Sequence, residues 1–310
     1  MADLAGPVAQ IGTGVIGAGW TALLLAQGIE VRVVDPAPDA RSLLLQYLDR
    51  AAPSLERLGH SLAGWTDRLT FCSSVAEAVD GAGFVQENGP ERIDLKQTLL
   101  REIDQLTDPA VVIASSSSGL APSELAANCT AHPERVIVGH PFNPVYLIPL
   151  VEVVGAPPAA NVAMAFYTAV GKKPILVRQE LPGHIANRLQ AALWREAYSL
   201  VERGVAEVAD IDTAIAHGPG LRWALLGPLA TQHLSGGAGG LAHVLKHLGP
   251  PAQRWMDDLG APQLTPELAD LLVSGVGDEL AGLSTEQLVA DRDTLLVELL
   301  AAKALHPDLP

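Results

Sequence analysis

Residues 7–35, PVAQIGTGVIGAGWTALLLAQGIEVRVVD, leave the chain few choices of fold. A short apolar strand ends at Ile11 and runs into Gly12-Thr13-Gly14-Val15-Ile16-Gly17. A helix with apolar positions at Ile16, Trp20, Leu23 and Leu24 follows and closes at Gly28. A second strand, Val31 to Val34, ends in Asp35, an acid 18 residues beyond the last glycine of the turn. A GxGxxG run alone is weak. With a strand before it, a helix after it and an acid at this distance, it describes the first unit of a dinucleotide-binding fold. Gly12 permits the tight turn, Gly14 lets a pyrophosphate approach the backbone, and Gly17 lets helix and strand pack closely. The first-turn N–H groups, at Val15 and Ile16, add donors and a partial positive charge. Asp35 would bond a ribose diol and repel a 2′-phosphate, so NAD is the expected cofactor.

Strands and helices keep alternating to about residue 180, which predicts an α/β, doubly wound, mostly parallel sheet. The pattern places strands at Leu69–Cys72, Gly83–Glu87, Val111–Ala114, Arg135–Gly139, Leu150–Val154 and Pro174–Val177. Pro53 is expected to start a second helix within 36–70, and Pro90-Glu91 to open a helix over 91–106 with Asp94, Lys96 and Arg101 facing solvent. After Leu181-Pro182-Gly183 the strand-like runs stop. Helices are expected over 184–203, 208–217, 221–233, 266–273 and 285–304, with 236–240 a flexible glycine loop. The division is therefore an NAD-binding Rossmann-like domain over 1–182 and an all-α substrate and dimerisation domain over 183–310.

The net charge of −15 argues against a nucleic-acid or anionic-membrane partner, which demand a basic surface. Cys72 and Cys129 lack metal-ligand spacing, so free thiols in a reducing cytoplasm and no metal are expected. The N-terminus carries no basic segment of the kind that starts a signal peptide.

The second informative stretch is residues 138–154, VGHPFNPVYLIPLVEVV. Glu152 interrupts an apolar strand, and a carboxylate there is costly unless paired. His140, twelve residues earlier, precedes a proline and is held extended or in a turn. A return of the chain that brings Glu152 to His140 makes an oriented general base. Ser118, at the end of the Ser115–Ser118 run, and Asn187 are the candidate donors to a substrate oxygen. With NAD, this set suits oxidation of a secondary alcohol: His140 takes the hydroxyl proton while Glu152 stabilises the imidazolium.

The motifs IGTGVIGAGW, VQENGPERIDLK, ASSSSGL, GHPFNPVYLIPLVEVVG, LPGHIANRLQ and DIDTAIAHGPGLRWALLGP, in this order, resemble the 3-hydroxyacyl-CoA dehydrogenase superfamily over almost the whole chain. The resemblance implies catalytic His140 and Glu152, with Ser118 and Asn187 at the substrate oxygen; aligning Leu120 selects Ser118, with Ser117 the alternative register. It also implies cofactor contacts at Glu91, Lys96 and Asn143, and a homodimer. Within that superfamily the wording is nearer to the carnitine dehydrogenases and the gulonate dehydrogenase/lambda-crystallin branch. Those proteins take free, small, polar 3-hydroxy acids. The segment 36–70 is short and carries arginines but no lysine, unlike the lysine-rich excursion that meets CoA phosphates. On this reading Arg222 anchors a substrate carboxylate. Trp223, Trp194, Tyr146 and Phe142 are candidates to face a quaternary ammonium. Carnitine comes first and gulonate second. A thioester substrate or a non-catalytic, crystallin-like NAD-binding role stands as the alternative. Lys172 and Lys173 precede a strand, which disfavours the β-hydroxyacid enzymes with a catalytic lysine.

Overall fold

The computed structural model describes residues 6–309. The expectation for the start of the N-terminus falls on Met1–Ala5, outside the described residues. Two compact units divide the chain, Met1–Arg188 and Leu189–Pro310.

The first unit runs β1 (Val8–Ile11), α1 (Val15–Ala26), β2 (Val31–Val34), α2 (Ala40–Arg57), β3 (Leu69–Phe71), α3 (Val75–Val79), β4 (Phe84–Glu87), α4 (Ile93–Leu106), β5 (Val112–Ser115), α5 (Pro122–Leu125), β6 (Val136–Pro141), β7 (Leu150–Val154), α6 (Ala159–Ala169) and β8 (Lys173–Val177). The strands form one sheet in the order β3-β2-β1-β4-β5-β6-β7-β8. Strand direction is parallel except between β6 and β7. Neighbouring residues of one strand feed opposite faces: Val8 and Phe84 enter one apolar cluster, Ala9 and Val85 the other. Both faces are therefore covered, which is why these strands read as continuous apolar runs rather than alternating ones. One face is closed by the stacked rings of Trp20 and Tyr167, centroids 5.3 Å apart, and of Phe84 and Phe166, 4.1 Å apart. Each such buried ring is worth roughly 1.5–3 kcal/mol over exposure.

The turn after β1 behaves as the glycines require. Gly12 has φ +93°, and a Cβ there would lie 2.9 Å from the Asn88 carbonyl oxygen. A Cβ on Gly17 would fall 2.0 Å from the Gly12 oxygen. At Gly14 a Cβ would meet nothing within 4 Å, so that side of the turn is open space.

Three local expectations need correction. Pro53 does not start a helix; it lies inside α2, on the exposed side. The buried stripe Leu44, Leu48, Ala51 and Leu55 continues through it, and water can bond the carbonyl that the missing N–H leaves. The helix expected from residue 91 begins at Ile93, because Arg92 is extended at φ −126°. Lys96 does not face solvent. It is 1% exposed and shares the buried side of α4 with Leu100 and Ile103.

The second unit has helices and no strand among its described residues. It contains most of α7 (Ala186–Glu202), then α8 (Val208–Ala216), α9 (Pro219–Trp223), α10 (Pro228–Ser235), α11 (Gly240–Asp258), α12 (Pro266–Glu279) and α13 (Thr285–Ala304). The helix expected over 221–233 is two helices, divided before Pro228. α11, 19 residues long, lies outside the helices that periodicity predicts, because Pro250 and Pro251 within it mask its apolar repeat.

Candidate active site

The strand order reverses between β1 and β4, the place where open α/β sheets bind ligands. A cleft of about 230 Å³ lies there, at the carboxyl ends of four strands. Ile16 comes from the first turn of α1, Asn88, Gly89 and Glu91 from the loop after β4, and Lys96 from α4. Ser116 and Ser118 follow β5, and β6 itself supplies His140 and Pro141.

The antiparallel pairing of β6 with β7 sets His140 directly opposite Glu152. Cross-strand neighbours on one face are close enough for their side chains to meet. His140 Nδ1 lies 2.9 Å from Glu152 Oε2. The other oxygen, Oε1, accepts the backbone N–H groups of Ile185 at 2.8 Å and Ala186 at 2.9 Å, at the start of α7. Glu152 is fully buried, and burial alone would raise its carboxyl pKa. The His140 hydrogen bond and the two helix-start amides outweigh this and hold it below the ordinary carboxylate value. A charged acceptor makes Nδ1 the protonated nitrogen and leaves the lone pair on Nε2. The Phe142 ring packs on the imidazole at 4.6 Å between centroids.

The serine run wraps a second carboxylate. Glu91 Oε1 accepts from Ser117 Oγ at 2.6 Å, Ser118 N at 2.9 Å and Gly119 N at 3.1 Å. Burial pushes the Glu91 carboxyl up, but the Ser117 hydroxyl, the Lys96 ammonium and the two amides bring it below the ordinary value. Ser117 is buried, while Ser118 is exposed and lines the cleft, with its hydroxyl 3.3 Å from Glu91. Asn187 Nδ2 donates to the Ser118 carbonyl at 3.1 Å. The fold thus brings Ser118, Asn187, His140, Glu152 and Glu91 to one region of the first unit.

Other candidates lie differently. The Lys96 ammonium donates to both oxygens of Glu87 at 2.9 Å and to the Gly89 carbonyl at 3.0 Å, so its three protons have protein acceptors. Asn143 is exposed on the turn after β6, before the cis-linked Pro144. Tyr146 packs edge-on against Tyr47, its ring centroid 6.0 Å away. Arg222, Trp223 and Trp194 belong to the second unit and are exposed. Lys172 is buried and its ammonium donates to the carbonyls of Val145 and Ile148, holding the turn that follows Asn143; burial pushes its pKa down to about 7.

Several further polar residues lie behind the cleft. Tyr167 Oη donates to Gln86 Oε1 at 2.6 Å, Gln86 Nε2 to Ser116 Oγ at 2.8 Å, and Ser116 Oγ to Asn88 Oδ1 at 2.7 Å. The chain continues from Asn88 Nδ2 to Gln10 Oε1 at 2.8 Å. A polar residue inside an apolar strand, as at Gln10 and Gln86, is the signal that announces such a network. Lys96 was legible too, since it falls in register with Leu100 and Ile103.

The residues present fit a dinucleotide. Gly14 faces open space, and no side chain caps the start of α1, so its first N–H groups are available to a phosphate. Asp35 lies just past β2 and accepts from Thr13 N at 2.7 Å and Ala37 N at 2.9 Å, with carboxylate lone pairs remaining for a diol.

A dinucleotide turn at a strand-order reversal, with a paired histidine on the same cleft, defines an NAD-dependent dehydrogenase. The chain belongs to the 3-hydroxyacyl-CoA dehydrogenase family. Residues 7–181 match its NAD binding domain and residues 183–274 its C-terminal domain. It is an NAD-dependent oxidoreductase of the 3-hydroxy acid dehydrogenase class. It is similar to an L-carnitine dehydrogenase of Streptomyces coelicolor, 50% identical over 95% of this chain and 94% of that protein. A second L-carnitine dehydrogenase, from Streptomyces griseus, is 49% identical over 97% and 90%. Among solved structures it is similar to 5-formyl-3-hydroxy-2-methylpyridine 4-carboxylic acid 5-dehydrogenase, an NAD+ dependent dismutase. That likeness has a TM-score of 0.81 at 30% identity, covering 94% of this chain and 96% of the other.

Proposed function

We propose that the chain is an L-carnitine dehydrogenase that uses His140 as general base and Glu152 as its orienting acid. The observation that carries the chemistry is the buried His140–Glu152 bond of 2.9 Å on the rim of the dinucleotide cleft. The substrate assignment is supported by similarity at 46–50% identity to curated proteins of that name.

When bound, NAD+ supplies the hydride acceptor. Everything else falls to the chain. His140 Nε2 takes the proton of the 3-hydroxyl group, and the resulting imidazolium is stabilised through Nδ1–H by Glu152. Glu152 remains charged throughout because two backbone amides and the histidine hold it. The second N–H of Asn187 donates to the oxygen as it becomes a carbonyl, and so does Ser118 Oγ once its hydroxyl turns from Glu91. Glu91 orients the serine turn. The first-turn amides of α1 and Asp35 hold the dinucleotide. The roles given to Glu91, Lys96 and Asn143 at the cofactor, and to Arg222, Trp223, Phe142 and Tyr146 at the substrate, rest on the family resemblance. Lys96 then acts through Glu87 and Glu91 rather than by a free donor.

A homodimer in the cytoplasm completes the reading. Exposed apolar side chains of the helical unit, such as Leu245, Trp255, Met256 and Leu305, support association, and the thiols of Cys72 and Cys129 are free. No helix among the described residues is long and apolar enough to cross a membrane.

The test is NADH formation with L-carnitine, L-gulonate, 3-hydroxybutyrate and 3-hydroxybutyryl-CoA. L-carnitine is expected to give the highest kcat/KM. Activity confined to the CoA ester would overturn the proposal.

A further inference from the structure

Four consecutive residues, His184 to Asn187, tie the parts of the site together. His184 Nε2 reaches the Ser117 carbonyl at 3.4 Å. The N–H groups of Ile185 and Ala186 hold Glu152, and Asn187 holds the Ser118 carbonyl. The serine turn and the acid behind the base are thus fastened to one short segment. Leu181-Pro182-Gly183-His184 forms the turn that leads into it, closed by His184 N to Leu181 O at 3.0 Å. Proline followed by a left-handed glycine, φ +73°, is the chemistry of a type II turn.

His184 stands out within that segment. It has φ +50° and is the one non-glycine residue in the left-handed region among the described residues. It is 1% exposed, and its Nδ1 has no hydrogen-bond partner. Its ring lies 5.6 Å from that of His140. A glycine would take this backbone angle without strain, and an apolar ring would fill the space without an orphaned nitrogen. A carbonyl acceptor at Nε2 fixes the tautomer with the proton on Nε2. Burial, and then the neighbouring His140, push the pKa of His184 down, in keeping with a neutral donor.

We infer that His184 is a positioning residue of the reaction. Its Nε2–H fixes the serine turn and its ring backs His140, so that base and oxygen-binding groups stay in register. The inference rests on the assignment of His140 as base. A donor at this nitrogen is the property that matters. Phenylalanine keeps a ring and loses the donor. Glutamine carries a donor at a similar reach and loses the ring.

The experiment compares His184→Phe and His184→Gln in the full chain with NAD and the best hydroxy acid from the substrate screen. It measures kcat, both KM values, NAD affinity by fluorescence and the melting temperature. His184→Phe is expected to lower kcat by roughly tenfold to a hundredfold, the size of a small misplacement of reacting groups, with NAD affinity unchanged. His184→Gln, which retains the donor, is expected to recover most of that loss. A Phe variant within about twofold of wild type, or a Gln variant as low as the Phe variant, overturns the inference, because positioning by the donor must show in kcat. Should His184→Phe fail to bind NAD, His184→Gly, which accepts the backbone angle, replaces it with the same thresholds. His140→Ala is measured alongside. If it keeps turnover, the base assignment fails. If it loses turnover while His184→Phe keeps it, only the role of His184 fails.

Discussion

Glu87 and Glu152 are both fully buried carboxylates on strands of the same sheet, and each is paired with a cationic or potentially cationic partner. Glu87 ends β4 and binds Lys96 through both oxygens at 2.9 Å, with Ser115 Oγ donating at 2.5 Å. Glu152, in β7, binds one nitrogen of His140 and two amides. The first arrangement is closed: the lysine's protons are taken, and neither partner has a nitrogen left for chemistry. The second is open at one end, because an imidazole has a second nitrogen and lysine does not. The two pairs solve the same desolvation problem. Only the pair that contains a histidine leaves a group that can accept a proton.

Glu152→Gln is the largest perturbation of the open pair. Its amide presents an N–H to His140 Nδ1 and favours the tautomer protonated on Nε2, which cannot act as base. Turnover is expected to fall by roughly 10³–10⁴, the scale of the analogous change in a hydrolytic triad, with NAD affinity retained. The closed pair breaks differently. Lys96→Met strands a charge at Glu87 and is expected to lower stability by about 3–5 kcal/mol in urea unfolding. Glu87→Gln together with Lys96→Met should recover part of that loss, since no buried charge remains unpaired.

Acid sharpens the contrast further. The folded state holds the Glu152 and Glu91 carboxyls below their ordinary pKa values. The unfolded chain therefore takes up more protons near pH 4. The stability these groups contribute is complete above about pH 5 and drains away as pH falls through the folded values. The urea midpoint is expected to drop between pH 6 and pH 4, and to drop less in Glu152→Gln. The smallest effect belongs to the surface. Arg92→Ala removes an exposed pair with Asp94 at 2.6 Å and is expected to leave the urea midpoint unchanged.

The open pair is legible in the sequence as a pair, whereas of the closed pair only the buried phase of Lys96 is. Glu152 is announced by the apolar residues around it and His140 by its place before a proline. Their meeting needed only a strand return across Asn143-Pro144. Asp35 and the three glycines declare themselves by spacing. Lys96 and Glu87 went unpaired because α4 was phased with its charges outward, although 96, 100 and 103 form one face. The polar chain from Tyr167 to Gln10 is announced locally only by Gln10 and Gln86 within apolar strands; its pairings join residues far apart in sequence and exist only in the fold. His184 was hidden for a different reason: its backbone angle and buried ring exist only once the Leu181-Pro182-Gly183 turn is formed. The helical unit is only coarsely legible, since prolines at 228, 250 and 251 interrupt or mask periodicity.

The most direct measurement is the turnover of L-carnitine by His140→Ala, with NAD affinity measured on the same preparation. Loss of a general base is expected to lower kcat by about 10²–10⁴ while NAD binding is unchanged. A fall of less than about tenfold in a variant that still binds NAD would contradict the assignment of His140 as the base.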